Sequence, residues 1–212
     1  MEKERHMPTD GELADSGGDF LDEFLSEEEE ALLDERDRID SRPGDDPAPP
    51  PGLSRFLIEL DGSAEEYAAR LRAVLGAALD RSVLEGRIDS QVVPRPVPAW
   101  FTAACAGDGP VPDFARAGAS HYTEAGHGNG WSLDNWLWRF ELDCPFRTWS
   151  WWDVTHTAPG TLSLWLDAHG EDAFAADDLR WAAYTAGART VTGPTHHRLP
   201  AWRAEPSAGV VG

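Results

Sequence analysis

Residues 147–170, RTWSWWDVTHTAPGTLSLWLDAHG, carry the clearest structural pattern in this 212-residue chain. Its side chains alternate between apolar and polar, pass through a turn, and then alternate again, which is typical of a β-hairpin. Ala158-Pro159-Gly160 forms the predicted turn, because the third position of a three-residue loop adopts the left-handed region that glycine tolerates. The stretch therefore predicts a hairpin over about 147–169.

The position of the turn sets the register of this hairpin. It places Val154 opposite Leu164 and Trp152 opposite Leu166, so that one face is apolar. A slip by one residue would mix the two faces, and the alternation itself therefore favours this register. The apolar face consists of the even-numbered Trp152, Val154, Leu162, Leu164 and Leu166.

The odd-numbered face supplies the candidate binding residues. Aromatic walls with a few carboxylates suit sugars, cationic ligands or an arginine-bearing peptide. The alternative is that a helix covers this face and that its tryptophans belong to the core. The set consists of Trp149, Trp151, Asp153, Trp165, Asp167 and His169.

Catalytic and metal sites have weaker support. Asp153 and Asp167 are diagonal neighbours at a separation compatible with a glycosidase carboxylate pair. Asp167 and His169 share a face while His156 lies on the other, so we expect no metal site and no cofactor. The loop Gly126–Gly130 lacks the preceding strand that a phosphate-binding loop needs, and we interpret it as a connector.

The charge of the chain is uneven. Its net charge is −20, and residues 1–52 alone carry 18 acidic and five basic residues. Such a surface repels the phosphates of nucleic acid, so we expect no direct nucleic-acid binding. Acidic charge instead favours solubility, a partner protein with a basic surface, or imitation of a polyanion, and we expect the basic partner.

Residues 1–52 are predicted to form an acidic, largely disordered arm, since their junction with the following chain is the Pro-rich RPGDDPAPPPG. A short amphipathic helix over about 20–38 is compatible with one apolar stripe. That stripe either docks into the groove of a partner or folds back onto its own domain. It consists of Phe20, Leu21, Phe24 and Leu25.

The remaining segments predict one α+β domain over 53–194 and a loose tail over 195–212. Residues 55–60 predict a strand, Ser63 caps the helix that follows, and Ser132 caps another. A further helix begins at Asp177 or Asp178, before a short last strand. Strands and helices in this order favour a small mixed or antiparallel sheet covered by helices.

The function predicted is that of a non-catalytic acidic interaction protein, such as an inhibitor or a toxin-immunity-type protein. The alternative is a small enzyme or binding module that uses the Trp/Asp/His face on a sugar or another polar ligand. Seventeen arginines against one lysine indicate a GC-rich bacterial source. With no apolar signal core and no run that could span a bilayer, we expect a cytoplasmic protein that does not bind membranes.

Overall fold

The computed structural model describes residues 16–44, 50–86, 88–89, 91–171 and 173–209, with side chains from residue 27 onward. Seven helices and four strands lie within these ranges. In chain order they are α1 (Ser16–Asp40), β1 (Gly52–Leu60), α2 (Ala64–Glu85), α3 (Ala99–Ala106), α4 (Asp113–Glu124), α5 (Leu133–Trp138), β2 (Ser150–Ala158), β3 (Thr161–Asp167), α6 (Asp177–Thr185), β4 (Ala188–Arg198) and α7 (Leu199–Arg203).

The four strands form one sheet in the order β2-β3-β1-β4, and every neighbouring pair is antiparallel. β1 therefore lies between β3 and β4, which α6 connects, in the split β-α-β arrangement known from ferredoxin-like sheets. Helices α3 to α5 are inserted between α2 and β2. The predicted α+β fold, with its antiparallel sheet and hairpin, is confirmed.

The main core lies between the helices and one face of the sheet. Phe56 and Ile58 of β1 are fully buried there against Leu71 and Val74 of α2. Ser63 caps α2 as expected, because its side chain accepts a hydrogen bond from the Glu66 backbone N–H at 3.3 Å. The opposite face carries a smaller apolar cluster that α7 covers, and it consists of Leu53, Trp152, Trp165, Leu199 and Trp202.

The predicted hairpin register is confirmed in its centre, where Val154 pairs with Leu164. A β-bulge between Trp151 and Asp153 then shifts the register, so that Trp151 instead of Trp152 faces Leu166. A bulge adds one residue to one strand and breaks the alternation of period two. The predicted faces are therefore corrected at three positions: Trp149 and Trp151 pack in the main core, and Trp152 packs in the α7 cluster.

β2 continues to Ala158, which pairs with Thr161, so the turn is Pro159-Gly160 and the predicted three-residue turn is one residue too long. This turn depends on Gly160, whose φ of 72° lies in the left-handed region. We expect Gly160→Val to destabilise the fold by about 1–3 kcal/mol, since a β-branched residue is strained there. Thermal melting followed by circular dichroism checks this result. Thr161→Val, one residue further on in extended backbone, is the matched control and should melt close to the original chain. Equal melting of both variants would contradict the assigned turn.

The N-terminal boundary at residue 52 does not separate packed from unpacked chain. Leu32 and Ile39 of α1 are 5% and 0% exposed, and the Glu35 side chain is buried as well. Leu32 and Ile39 join the main hydrophobic core. α1 also supplies partners for the free edge of β2, since the Trp151 N–H donates to Glu35 at 2.6 Å and the Trp151 carbonyl accepts from Arg38 at 3.0 Å. The arm is corrected accordingly: its last part is a packed helix. Phe20, Leu21, Phe24 and Leu25 have their side chains outside the described residues, so their contacts stay a prediction.

The C-terminal boundary moves as well. β4 continues to Arg198 and pairs with β1 beyond the predicted end of the strand. Trp202 is 2% exposed, and the Ala208 N–H donates to the Val154 carbonyl at 2.8 Å. The tail therefore hydrogen-bonds to the free edge of β2 and does not lie loose. An unpaired strand edge offers N–H and C=O groups for such bonds.

Candidate functional site

Asp153, a predicted binding residue, is completely buried beside the bulge of β2. Its carboxylate accepts hydrogen bonds from the Arg72 guanidinium at 2.9 Å, the Trp202 indole at 3.0 Å and the Ser207 hydroxyl. Burial lowers the pKa of Arg72, and the neighbouring Asp153 opposes that change. A carboxylate that is fully paired and enclosed stabilises the fold and has no free lone pair for a ligand.

The three tryptophans of the predicted binding face are also buried. Trp149, Trp151 and Trp165 are each at most 1% exposed. Their indole N–H groups donate to the Asp178 carboxylate, the Arg38 carbonyl and the Thr155 hydroxyl, in that order. The structure thus places these rings in the hydrophobic cores. This is the alternative stated above, in which the tryptophans of this face belong to the core.

Asp167, His169 and the edge of Trp149 do meet at a surface cleft. The cleft lies between α1 and residues 139–150 and encloses a volume of about 530 Å³. Its apolar floor includes Leu32, Phe140 and Trp149. Asp167 accepts a hydrogen bond from the His169 backbone N–H at 2.8 Å, which fixes its orientation at the rim.

The charges that line this cleft are of two kinds. Arg147 is held by Glu35 at 2.8 Å, and Arg139 is held by Asp178 at 3.0 Å. Arg38 is held by the Trp151 carbonyl at 3.0 Å. In contrast, no ion pair among the described residues involves the lining carboxylates of Glu28, Asp34 and Glu141. We call this surface, with Glu28, Asp34, Glu141 and Asp167 at its rim, the acidic cleft.

Two exposed aromatic rings lie beside the acidic cleft. Trp138 is 42% exposed and Phe146 is 53% exposed, and their ring centroids are 5.5 Å apart. Arg139 joins them to the cleft, because it lines the cleft and its guanidinium carbon lies 5.5 Å from the Phe146 ring centroid. We call Trp138 and Phe146 the aromatic pair. Exposed rings of this size are enriched in protein interfaces.

The sequence patterns did not predict the acidic cleft or the aromatic pair. One signal was present: Trp136, Leu137 and Phe140 share the buried face of the helix after Ser132, and Trp138 falls off that face. A tryptophan off the apolar face of a short helix needs another partner or lies exposed. Glu28, Asp34 and Glu141 carried no such signal, since they are ordinary acids in an acidic chain.

A second buried carboxylate connects α1 to the rest of the domain. Asp80 of α2 accepts hydrogen bonds from Arg36 at 2.6 Å and from the Arg95 guanidinium at 2.7 Å. Burial by itself raises the pKa of Asp80, but the hydrogen bonds and charges of Arg95 and Arg36 outweigh it, and the pKa is lowered. The charged form of Asp80 is therefore the form that the fold stabilises.

This lowered pKa makes stability depend on pH. The contribution of Asp80 is fully present above the ordinary aspartate pKa of about 3.9 and is lost as pH falls through the lower pKa of the folded state. We expect Asp80→Asn to be less stable at neutral pH and to show a weaker loss of stability on acidification. Urea unfolding measured across acidic pH checks this. The same acid dependence in both chains would contradict the role of Asp80.

The described residues contain no group of three or more His, Cys, Asp or Glu side chains placed to hold a metal ion. Among the helices that the structure describes, none is long and apolar enough to cross a membrane. Comparison with protein-family models, with curated proteins and with solved structures gives no significant match to this chain.

Proposed function

We propose that this chain is a non-catalytic interaction protein that binds a basic segment of a partner protein in the acidic cleft. The observation that carries the proposal is that three rim carboxylates, Glu28, Asp34 and Glu141, have no ion pair within the described chain and lie next to an exposed aromatic pair. Inhibition of the partner, as by a toxin-immunity-type protein, is one role that such binding serves.

The charge of the cleft supports a basic ligand. Arg139 and Arg147 are paired with carboxylates, whereas Arg38 is held only by a backbone carbonyl and keeps its positive charge. The four rim carboxylates outnumber that one charge, so the field that a ligand meets is negative. The net charge of −20 adds long-range attraction for a cation. Electrostatic attraction of this kind speeds encounter and weakens as salt is added.

The aromatic pair supports a protein as the ligand. Interface energies concentrate in a few aromatic and arginine residues, and the surrounding polar rim contributes mostly specificity. Trp138 and Phe146 are close enough to bind one apolar or arginine side chain of a partner while the cleft holds its neighbours. The volume of about 530 Å³ suits a few side chains rather than a whole domain.

The enzyme alternative has less support at the hairpin. Its proposed carboxylate pair included Asp153, which is 0% exposed and bonded to Arg72, Trp202 and Ser207. A general acid or base must reach the proton that it transfers. The buried Asp178 is likewise held by Arg139 and the Trp149 indole.

Selection from a display library of random peptides tests this proposal. We expect the selected peptides to be rich in arginine and lysine and to bind less tightly as salt is raised. Trp138→Ala should weaken their binding by about tenfold or more, as for an interface hot spot. Peptides without basic residues, or binding that ignores salt and Trp138, would contradict the proposal.

A matched pair of charge variants locates the binding surface. Glu28→Gln with Asp34→Asn removes two charges from the cleft, whereas Asp108→Asn with Glu124→Gln removes two exposed charges outside it. We expect the first pair to weaken binding several-fold, since exposed ion pairs contribute about 0.2–1 kcal/mol each. The second pair should bind like the original chain. Equal losses in both would mean that only net charge matters.

A further inference from the structure

A second cavity lies on another part of the surface, beside the loop Gly126–Gly130. It encloses about 280 Å³ between that loop, the start of α5 and the start of α6. Gly126 and Gly128 have φ values of 83° and 89°, and a Cβ at Gly130 would lie 2.7 Å from the Trp181 ring. The conformation of the loop therefore depends on its glycines. The loop forms one wall of a cavity and is more than the connector that the sequence predicted.

This cavity contains both asparagines of the chain. Asn129 and Asn135 are the two asparagines among 212 residues, and both line it. Both side chains are exposed, and no hydrogen bond joins either side-chain amide to another described residue. An asparagine side chain offers two N–H donors and one carbonyl acceptor side by side. Two such groups thus converge with their hydrogen-bonding capacity free within the described structure.

His127 adds a third mixed donor and acceptor. Its Nδ1 lies 3.7 Å from the Asp177 carboxylate, and its ring centroid lies 5.2 Å from that of Tyr122. Burial and the nearby Arg180 lower the pKa of His127, while Asp177 opposes this change. The lowered pKa favours the neutral imidazole, in which one ring nitrogen donates and the other accepts.

Aromatic rings form the remaining wall. Trp131 is half-buried, and its indole N–H donates to the Tyr122 hydroxyl at 3.2 Å, which holds the two side chains together. Asp177 is the acidic group of the lining, and no arginine or lysine of the described chain lines this cavity. Phosphates and carboxylates find no cationic partner there, so a neutral ligand fits better.

We infer that this cavity binds a neutral, hydroxyl-rich ligand the size of one sugar ring. Each hydroxyl of such a ring both donates and accepts, and the amides of Asn129 and Asn135 and the imidazole of His127 offer the same two functions. The apolar face of a pyranose ring packs on an indole such as that of Trp131, as in sites lined by aromatic rings with a few polar groups. This binding is separate from the acidic cleft.

Selective ¹⁵N-asparagine labelling gives a direct test. The labelled full chain shows two backbone signals and two side-chain amide pairs, because it has two asparagines. Methyl glycosides of glucose, galactose, mannose and N-acetylglucosamine are titrated one at a time. We expect at least one of them to shift both side-chain pairs along a saturable curve with a millimolar dissociation constant.

Variants assign the shifts to this cavity. Asn129→Ala should weaken the binding about tenfold, measured on the remaining Asn135 signals, since it removes hydrogen bonds to the ligand. Gln91→Ala removes an exposed amide outside the cavity and should leave the affinity unchanged. Melting curves check that both variants fold. The inference is overturned if no glycoside shifts the asparagine signals, or if Asn129→Ala binds as tightly as the original chain.

Discussion

A chain that begins at Leu53 will lose the cooperative melting transition of the full chain. It lacks the buried Leu32 and Ile39, and burial of such side chains contributes about 1.5–3 kcal/mol each. It also leaves Arg147 without Glu35 and the Trp151 N–H without its acceptor at 2.6 Å. Each buried group left unpaired costs about 1–3 kcal/mol. Together these losses approach the whole stability of a domain, about 5–15 kcal/mol.

A chain that begins at Glu27 is the matched control. It keeps every contact of α1 that the structure describes, so we expect it to melt close to the full chain. Differential scanning calorimetry of the three chains checks both expectations. A cooperative transition of the Leu53 chain at nearly the original temperature would contradict the packing of α1, and would restore residues 1–52 as a separate arm.

Asp153→Ala is expected to have the largest effect of any single substitution. Its removal leaves the buried Arg72 without its carboxylate partner and takes the acceptor from the Trp202 indole. Breaking a buried ion pair by removing one partner costs about 3–5 kcal/mol. Urea unfolding should show this loss as a lower midpoint with little change in slope.

Asp167→Ala is the matched control for this substitution. Asp167 lies on the adjacent strand at the rim of the acidic cleft, and its side chain is 21% exposed. We expect a loss within about 0.5 kcal/mol, as for most surface substitutions. If Asp153→Ala were as mild as Asp167→Ala, Asp153 would be available to a ligand, and the binding face predicted from the sequence would regain its support.

The hairpin shows what a local pattern can and cannot predict. Gly160 and the alternation of apolar residues were enough to place the turn at Gly160 and to pair Val154 with Leu164, but not to give the length of the loop, since Ala158 belongs to β2. The bulge near Trp152 could not be predicted from the sequence, because Trp151 and Trp152 are both tryptophans and either side chain could face the main core. Packing decides it: Trp152 meets the Trp202 ring edge-on, with centroids 5.6 Å apart.

The burial of Asp153 within the predicted binding face could not be foreseen for a related reason. A buried aspartate and an exposed one look alike in a sequence, and the partners of Asp153 come from Arg72, Trp202 and Ser207, which are distant in the chain. The packing of α1 was also not predicted, because its few buried apolar residues lie among many acidic residues in the sequence. Long-range partners of buried charges are set by the tertiary structure and leave no local period.

Hydrogen exchange with and without a library-selected basic peptide shows whether the acidic cleft is the binding surface. We expect the peptide to slow exchange in residues 28–38 of α1 and in residues 139–150, and to leave β4 unchanged. The slowing should disappear in the chain that carries Glu28→Gln, Asp34→Asn and Trp138→Ala. Protection confined to β4 or α7, with none in α1 or residues 139–150, would contradict the account.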